Sequence, residues 1–215
     1  MITLNSDAAS TSLSKTTKAI LNEYGIKLNK NLGQNYLIDR NKRDQIIQFG
    51  NLTKDDVVLE IGPGIGTLTI ELAKRVKKVI AIEQDSNICQ ILENRLKKEN
   101  IDNVDLINDD ALNVEFPKFD KIISNLPYQI SSPITFKFLN YDFQLAILMY
   151  QKEFASRMNG KVGSKDYSRL SAMLYFKCDV DLLTGVSAES FIPKPKVDST
   201  VVRLTPKLPE LNGQL

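Results

Sequence analysis

Apolar residues in this chain form short runs, and the segments between several of these runs carry apolar residues at helical spacing. Runs rich in Val, Ile and Leu predict strands at residues 57–61, 78–82, 104–107, 121–124 and 145–150. The pattern predicts two helices before the first strand, at residues 14–24 and 41–49, and helices between the strands at residues 67–74, 86–98 and 133–139. Strands that alternate with helices of this length pair in parallel through crossover helices, so the pattern predicts an α/β fold.

The clearest local signal is the turn after the run at 57–61, where glycines stand at positions 62, 64 and 66. Glycine is needed where φ is positive or where a ligand lies against the main chain. The dinucleotide fingerprint G-x-G-x-x-G is absent because position 67 is threonine, and Pro63 has no N–H for a pyrophosphate. The turn therefore predicts a cradle for a nucleoside without phosphates, with a purely structural turn as the alternative.

Polar side chains follow the next predicted strands, at the edge of a parallel sheet where ligands bind. Glu83 stands about twenty residues after Gly62, the distance at which an acidic side chain takes both hydroxyls of a ribose. Asp110 can accept a hydrogen bond from an exocyclic amine, and Leu112 supplies an apolar wall. The alternative for Glu83 is an ordinary surface charge. Taken together, these strand ends predict a site for ribose and adenine.

The fourth strand ends in the sequence Ser124-Asn-Leu-Pro-Tyr128. Asn125 offers an amide carbonyl, Pro127 fixes the turn, and Tyr128 offers a flat ring with a polar tip. A carbonyl pair beside an aromatic face suits an aromatic amine that is to be held, stacked and methylated. The alternative interpretation is a simple strand cap.

Composition narrows the possible chemistry. The chain has no histidine and only two cysteines, which excludes Ser-His and Cys-His catalysis and zinc-histidine sites. We expect reduced thiols, and therefore an intracellular, cytoplasmic protein. The longest apolar run, residues 145–150, is too short to span a bilayer, so no membrane partner is expected. The net charge of +2 is small, but bases outnumber acids between residues 151 and 177.

Four separated motifs give the chain a family resemblance. Residues 31–37 (NLGQNYL), 60–66 (EIGPGIG), 125–133 (NLPYQISSP) and 191–199 (FIPKPKVDS) resemble, in order and spacing, the ribosomal RNA adenine dimethyltransferases of the KsgA type. The likeness runs from about residue 18 to residue 206, and residues 129–133 and 167–171 look archaeal or eukaryotic.

The resemblance implies a class I, Rossmann-like methyltransferase with a seven-stranded, mostly parallel sheet, an antiparallel last strand and helices on both faces. The last two strands would be residues 180–186 and 197–204. The implied reaction is dimethylation of N6 of two adjacent adenosines near the 3′ end of small-subunit rRNA, with S-adenosylmethionine as cofactor and no metal. The implied partner is the pre-ribosomal small subunit, and we expect a monomer.

The resemblance also assigns roles to individual residues. Glu60 and Gly62 would hold the methionine end of the cofactor, Glu83 the ribose and Asp110 the adenine amine. The remaining residues expected at the cofactor are Gln34, Asn35, Leu37, Gly64, Gln84, Ala111 and Asn125. The residues expected at the target base are Asn125, Leu126 through its carbonyl, Pro127, Tyr128 and Phe191.

The resemblance also predicts how the chain is divided into a domain and flanking segments. We expect a mobile tail at residues 1–12, a methyltransferase domain at 13–206, and at 207–215 the stub of a helical domain with which family members usually continue. The chain ends at Leu215, so we expect either a truncated or a naturally minimal form. Cofactor binding should survive this, whereas we expect poorer methylation of pre-ribosomal particles than by a form that carries the helical domain.

Three other functions stay open. A related enzyme methylates an adenine of large-subunit rRNA and confers macrolide resistance, with the same pocket and mechanism. A protein of another class would act only by binding, as a ribosome-assembly or transcription factor with a relic cofactor site. A nicotinamide-dependent dehydrogenase is the third, and the glycine spacing disfavours it.

Overall fold

A seven-stranded sheet forms the centre of the computed structural model, which describes residues 12–26 and 35–207. Nine strands are assigned in this part of the chain: β1 (Tyr36–Leu37), β2 (Val57–Ile61), β3 (Lys78–Glu83), β4 (Val104–Asn108), β5 (Lys121–Asn125), β6 (Leu145–Gln151), β7 (Cys178–Val186), β8 (Phe191–Ile192) and β9 (Ser199–Pro206). The helices are α1 (Leu13–Glu23), α2 (Arg40–Phe49), α3 (Thr69–Ala73), α4 (Ser86–Lys98), α5 (Ser131–Phe138), α6 (Lys152–Met158) and α7 (Arg169–Lys177).

The strand order of the large sheet is β4-β3-β2-β5-β6-β9-β7. β9 runs antiparallel to both of its neighbours, whereas the pairs from β4 to β6 are parallel. Along the chain, β2 to β4 progress toward one edge and β5 starts again on the other side of β2. The order therefore reverses between β2 and β5, and in open α/β sheets ligands bind at such a reversal.

Both faces of the central strands are buried, which explains why β2, β3, β5 and β6 are nearly continuous apolar runs. Successive residues of β2 point to opposite faces: Leu59 joins one apolar cluster with Phe138 of α5 and Leu174 of α7. Val58 joins a second cluster with Ile47 of α2 on the other face. The helices therefore cover both sides of the sheet, as the resemblance implied.

Capping residues mark the ends of several helices. Asp39 accepts a hydrogen bond from the Lys42 N–H at 3.1 Å and begins α2, and Asp85 accepts one from the Asn87 N–H at 2.9 Å and begins α4. Gly25 has φ +59° after α1, a left-handed conformation that ends a helix.

The predicted fold class is confirmed: a mostly parallel seven-stranded sheet with one antiparallel strand. The predicted strands lie within a residue or two of the observed ones. The helix predicted at 67–74 is shorter and begins at Thr69, because a turn occupies residues 64–68. The sequence analysis gave no assignment to α6, α7 or the small antiparallel sheet of β1 and β8. The tail predicted at 1–12 lies, except for Ser12, outside the described residues.

Within residues 12–26 and 35–207, none of the helices combines the length and apolar character needed to cross a membrane.

Candidate active site

A cavity lies at the carboxyl ends of β2, β3 and β5, where the strand order reverses. Five segments line it, and each contains at least one of the predicted site residues. They are residues 35–37, 60–64 with 67 and 68, 82–84, 109–111, and 125–130. Residues that are far apart in sequence are thus brought to one place by the parallel sheet.

The glycine turn forms the floor between β2 and α3. Gly62 has φ +67° and Gly64 has φ +56°, conformations that other residues adopt only with strain. A Cβ added at Gly62 would lie 2.9 Å from Cγ of Pro127, so the glycine turn packs directly against the turn that follows β5. The two sequence motifs therefore share one contact surface.

Glu83 lies at the end of β3 and faces the glycine turn. One carboxylate oxygen accepts a hydrogen bond from the Gly64 N–H at 3.1 Å, and the other accepts one from the Asp85 N–H at 3.0 Å. Burial raises the pKa of Glu83, although these N–H donors act in the opposite direction. Each oxygen can accept a further hydrogen bond, so the carboxylate is oriented and still able to take a pair of hydroxyls.

Glu60, in β2, is 2% exposed, and its Oε2 has no hydrogen-bond partner among the residues that the structure describes. Burial raises its pKa to about 8, with the Thr69 hydroxyl opposing the rise and the charge of Glu83 adding to it. A buried carboxyl oxygen without a partner is costly in a folded protein. The Glu60 carboxyl therefore suits a cationic or hydrogen-bond-donating ligand.

Asp110 follows β4 and begins a tight turn. Its Oδ1 accepts a hydrogen bond from the Leu112 N–H at 2.9 Å, and its Oδ2 accepts one from Nδ2 of Asn113 at 3.3 Å. Ala111, which follows, is buried in the wall of the cavity. The turn fixes the direction of the Asp110 carboxylate at the rim.

The turn after β5 forms the opposite wall. Nδ2 of Asn125 donates to the Asn35 carbonyl oxygen at 3.1 Å, which leaves the Asn125 amide oxygen as an acceptor. Just before it, the Ser124 hydroxyl donates to the Ile61 carbonyl oxygen at 2.6 Å and accepts from the Ile61 N–H at 2.8 Å. This pair of bonds ties β5 to β2 directly beneath the cavity.

Tyr128 is half-buried, and its hydroxyl is 2.6 Å from Oγ of Ser199 at the start of β9. Burial raises the pKa of Tyr128, and the bond to Ser199 acts against the rise. The phenol is therefore neutral near pH 7 and held at its tip, so its ring has a fixed direction at the cavity wall.

The structure does not bring Phe191 to the cavity. Its side chain is 2% exposed and belongs to the apolar cluster that contains Leu37 and Val186. Its backbone pairs with Leu37 in the small sheet of β1 and β8. The ring of Phe191 thus packs in the apolar core, and its role at the target base stays a prediction.

The other predicted residues line the cavity, except Leu112, which is not in its lining, and Gln34, which lies outside the described residues. Those that line it are Asn35, Leu37, Glu60, Gly62, Gly64, Glu83, Gln84, Asp110, Ala111, Asn125, Leu126, Pro127 and Tyr128. Their individual roles toward cofactor and base stay predictions.

Sequence reasoning missed Tyr36, which also lines the cavity. Its ring covers Gly64, since an added Cβ there would lie 3.0 Å from Cε1 of Tyr36. Its hydroxyl is buried without a hydrogen-bond partner in the described part of the chain. The sequence offered one indication of this role, because Tyr36 stands between Asn35 and Leu37 in the motif at residues 31–37.

No group of three or more Cys, Asp and Glu side chains that could hold a metal ion occurs within the described ranges, and the chain has no histidine.

Comparison with known proteins gives concordant results. A sequence model of the family described as "Ribosomal RNA adenine dimethylase" matches residues 25–214. The chain is 54% identical over 191 residues to a "Probable ribosomal RNA small subunit methyltransferase A" of Methanosphaera stadtmanae, covering 89% of this chain and 70% of the relative. It is 53% identical over 190 residues to the protein of the same name from Methanothermobacter thermautotrophicus, covering 88% and 68%.

Two solved structures are similar in both fold and sequence. A dimethyladenosine transferase from Plasmodium falciparum is 42% identical with a TM-score of 0.76, covering 80% of this chain and 63% of that one. The 23S rRNA methyltransferase ErmE is 34% identical with a TM-score of 0.74, covering 83% and 73%. The chain thus spans somewhat less than two thirds of the Plasmodium structure.

Proposed function

Because the chain belongs to the ribosomal RNA adenine dimethylase family, we propose that it dimethylates N6 of two adjacent adenosines near the 3′ end of small-subunit rRNA. Family membership confirms the resemblance seen in the motifs, the enzyme class and S-adenosylmethionine as the cofactor. The observation that carries the proposal is the convergence of the glycine turn, Glu83, Asp110 and Asn125 on one cavity.

The residues of the cavity fit this cofactor. The unpartnered Oε2 of Glu60 would accept a hydrogen bond from the ammonium group of the methionine end. The bare backbone at Gly62 and Gly64 leaves room for the ligand to lie close, Glu83 would take the ribose, and Asp110 the adenine amine. When bound, S-adenosylmethionine supplies an electrophilic methyl group on a sulfonium.

The turn after β5 would hold the target adenine. The Asn125 amide oxygen and the Leu126 carbonyl would accept hydrogen bonds from N6, which favours a pyramidal nitrogen with an available lone pair. Tyr128 would stack on the base, worth roughly 1–3 kcal/mol of binding. The adenosine must leave its helix or loop to enter such a site. Most of the rate enhancement would come from positioning, which can supply roughly 7–11 kcal/mol.

Ribosomal RNA is the substrate class of the family. The small subunit is supported by the names of relatives about half identical to this chain, whereas ErmE, a 23S rRNA methyltransferase, is 34% identical. We further propose that the chain acts as a monomer on a pre-ribosomal small subunit in the cytoplasm. The division into a methyltransferase domain at 13–206 with flanking segments also stays a proposal.

A methylation assay with ribosomal subunits from a strain that lacks the gene tests this proposal. Mass spectrometry would detect N6,N6-dimethyladenosine, and primer extension would locate it on either rRNA. We expect the signal on small-subunit rRNA. Asn125→Ala should lower the rate about 100-fold, since a small misplacement of reacting groups costs that much. The control Asn140→Ala changes an exposed asparagine and should stay within about twofold.

The outcomes separate the alternatives. Methylation of large-subunit rRNA alone would support the macrolide-resistance type of enzyme. A cellular phenotype that deletion causes but Asn125→Ala leaves unchanged would support a binding role without catalysis.

A further inference from the structure

We propose that Lys137, which lies outside the cavity, is a positioning residue that holds the Asp110 turn in the geometry that recognises the adenine amine. The inference rests on the proposed function, because the adenine of the cofactor is the group that this turn would meet. Lys137 is not among the residues that the motifs identified, and it does not line the cavity.

The ammonium group of Lys137 is bound to the end of this turn. Nζ donates to the carbonyl oxygens of Ala111 at 2.8 Å and Leu112 at 3.2 Å, and also to that of Val114. It lies 4.4 Å from the centre of the Phe116 ring, a cation–π distance. One side chain therefore contacts most of the segment that follows Asp110.

The segment that follows Asp110 is a single helical turn that does not continue into a helix. The N–H groups of Asn113 and Val114 both donate to the Asp110 carbonyl oxygen, at 2.9 and 3.1 Å. The last carbonyl oxygens of such a turn have no backbone partner of their own. A cation at this end satisfies them and interacts favourably with the peptide dipoles.

The same turn aims the Asp110 carboxylate. Oδ1 of Asp110 is held by the Leu112 N–H and Oδ2 by the Asn113 amide. Lys137 binds the carbonyl oxygen of Leu112, the residue whose N–H holds Oδ1. A change in the position of residues 111–114 would therefore rotate or shift the carboxylate at the cavity rim.

Lys137 also joins two walls of the site. It stands on α5, which begins directly after the turn at 126–130 that would hold the target base. α5 is anchored in the core, because Phe138 is fully buried and the Thr135 hydroxyl lies 2.7 Å from the Tyr150 hydroxyl. The lysine thus fixes the position of the Asp110 turn relative to a rigid helix on the opposite wall.

A ligand pair that differs at the amine-bearing edge of the purine, at C6 and the adjacent N1, tests this inference. S-adenosylhomocysteine carries the amine, and its deaminated analogue S-inosylhomocysteine has a carbonyl oxygen there. Calorimetry would give the ratio of the two dissociation constants for the wild type, Lys137→Met, Lys137→Gln and the control Lys97→Met. Lys97 is a 70% exposed lysine near the end of α4, and its ammonium group pairs with Glu93 rather than with the Asp110 turn.

We expect the wild type and Lys97→Met to prefer the amine ligand by at least about tenfold, the factor that corresponds to about 1.4 kcal/mol. Lys137→Met should lower this preference about tenfold, mainly by weakening binding of the amine ligand. Lys137→Gln, which keeps a shorter neutral donor, should lower the preference for the amine ligand at least about threefold. It gives the same test if the methionine variant does not fold.

A merely structural lysine would lower the melting temperature and weaken both ligands equally, so an unchanged ratio in a folded variant would overturn the inference. A wild type that binds both ligands equally would also overturn it and leave the proposed function standing. A wild type that binds neither ligand would overturn both.

Discussion

Glu60 shows how a single buried side chain links the site to the stability of the fold. The carboxyl lies in β2 at the start of the glycine turn, where burial raises its pKa to about 8 from an ordinary value of 4.5. Without ligand it is therefore mostly protonated near pH 7. Binding of a cationic group would instead favour the ionised form.

We predict that the ligand-free protein loses stability as the pH rises from about 4.5 to about 8. The sign follows from the raised pKa: the unfolded chain releases the Glu60 proton near pH 4.5, whereas the folded chain retains it up to about pH 8. The contribution is thus fully present below pH 4.5 and is lost as the pH passes 8. Glu83, whose pKa is also raised, acts in the same direction.

Urea unfolding at pH 5 and pH 8 checks this prediction. The free energy of unfolding should fall by about 2–4 kcal/mol more in the wild type than in Glu60→Gln, because glutamine resembles the protonated acid at every pH. The same pH dependence in both proteins would show that Glu60 is already ionised in the ligand-free fold.

Residue-level predictions from the sequence succeeded where one side chain stands at the end of a buried strand. Glu83, Asp110 and Asn125 were found because parallel strands end at a common edge, whatever their packing. The burial of Phe191 was not anticipated, because its surroundings depend on pairing with Leu37, which no local pattern reveals. Lys137 was missed for a related reason, since its importance lies in carbonyl groups far away in sequence.

Between elements, the decisive contact joins the glycine turn after β2 to the turn after β5. Gly62 and Pro127 are packed so closely that a single added carbon at Gly62 would approach Cγ of Pro127 to 2.9 Å. Pro127 lies next to Leu126 and Tyr128, which would hold the target base. The two turns therefore cannot move independently, and cofactor and base positions are coupled through their packing.

We predict that Gly62→Ala damages cofactor binding more than it damages folding. Alanine at φ +67° is strained by roughly 1–2 kcal/mol, and the methyl group would also displace Pro127. Gly25→Ala is a matched control, because Gly25 has φ +59° but no atom within 4 Å of an added Cβ. Melting temperature and calorimetric affinity for S-adenosylhomocysteine would be measured for both variants.

Both variants should lose a similar amount of stability from backbone strain, and only Gly62→Ala should lose at least about tenfold in affinity. Equal affinities in the two variants would mean that the contact with Pro127 does not shape the site.

Among the secondary-structure elements, the strands were predicted well, because strands buried on both faces are continuous apolar runs bounded by polar residues. It missed the helices α6 and α7 for different reasons. α6 follows β6 without any intervening turn. α7 exposes Tyr175 and Phe176, which blurs its helical pattern of apolar residues.

Across the whole molecule, the carboxyl ends and the amino ends of the strands differ in what they contribute. The carboxyl ends of β2, β3 and β5 bear the site, whereas a buried ion pair lies at the amino ends of β2 and β5. There Nζ of Lys121 lies 2.9 Å from Oδ2 of Asp56 and donates to the Asn51 carbonyl oxygen at 2.8 Å. Burial alone would raise the pKa of Asp56, but the Thr53 N–H and the Lys121 ammonium lower it.

Because these two ends are separated by the length of the strands, we predict that stability and cofactor affinity can be changed independently. Lys121→Met leaves the Asp56 charge buried without its partner, which typically costs about 3–5 kcal/mol of unfolding free energy. The affinity of the remaining folded protein for S-adenosylhomocysteine should stay within about twofold of the wild type, because the hydrogen-bond partners of the Lys121 ammonium among the described residues, Asn51 and Asp56, do not line the cavity.

The double variant Asp56→Asn with Lys121→Met should be more stable than Lys121→Met alone, because it removes the charge that the single variant leaves unpaired. Urea unfolding and calorimetry at a temperature where every variant is folded would measure both quantities. A fall in affinity that parallels the fall in stability would show that the ion pair at the amino ends also determines the geometry of the site, through the register of β2 against β5.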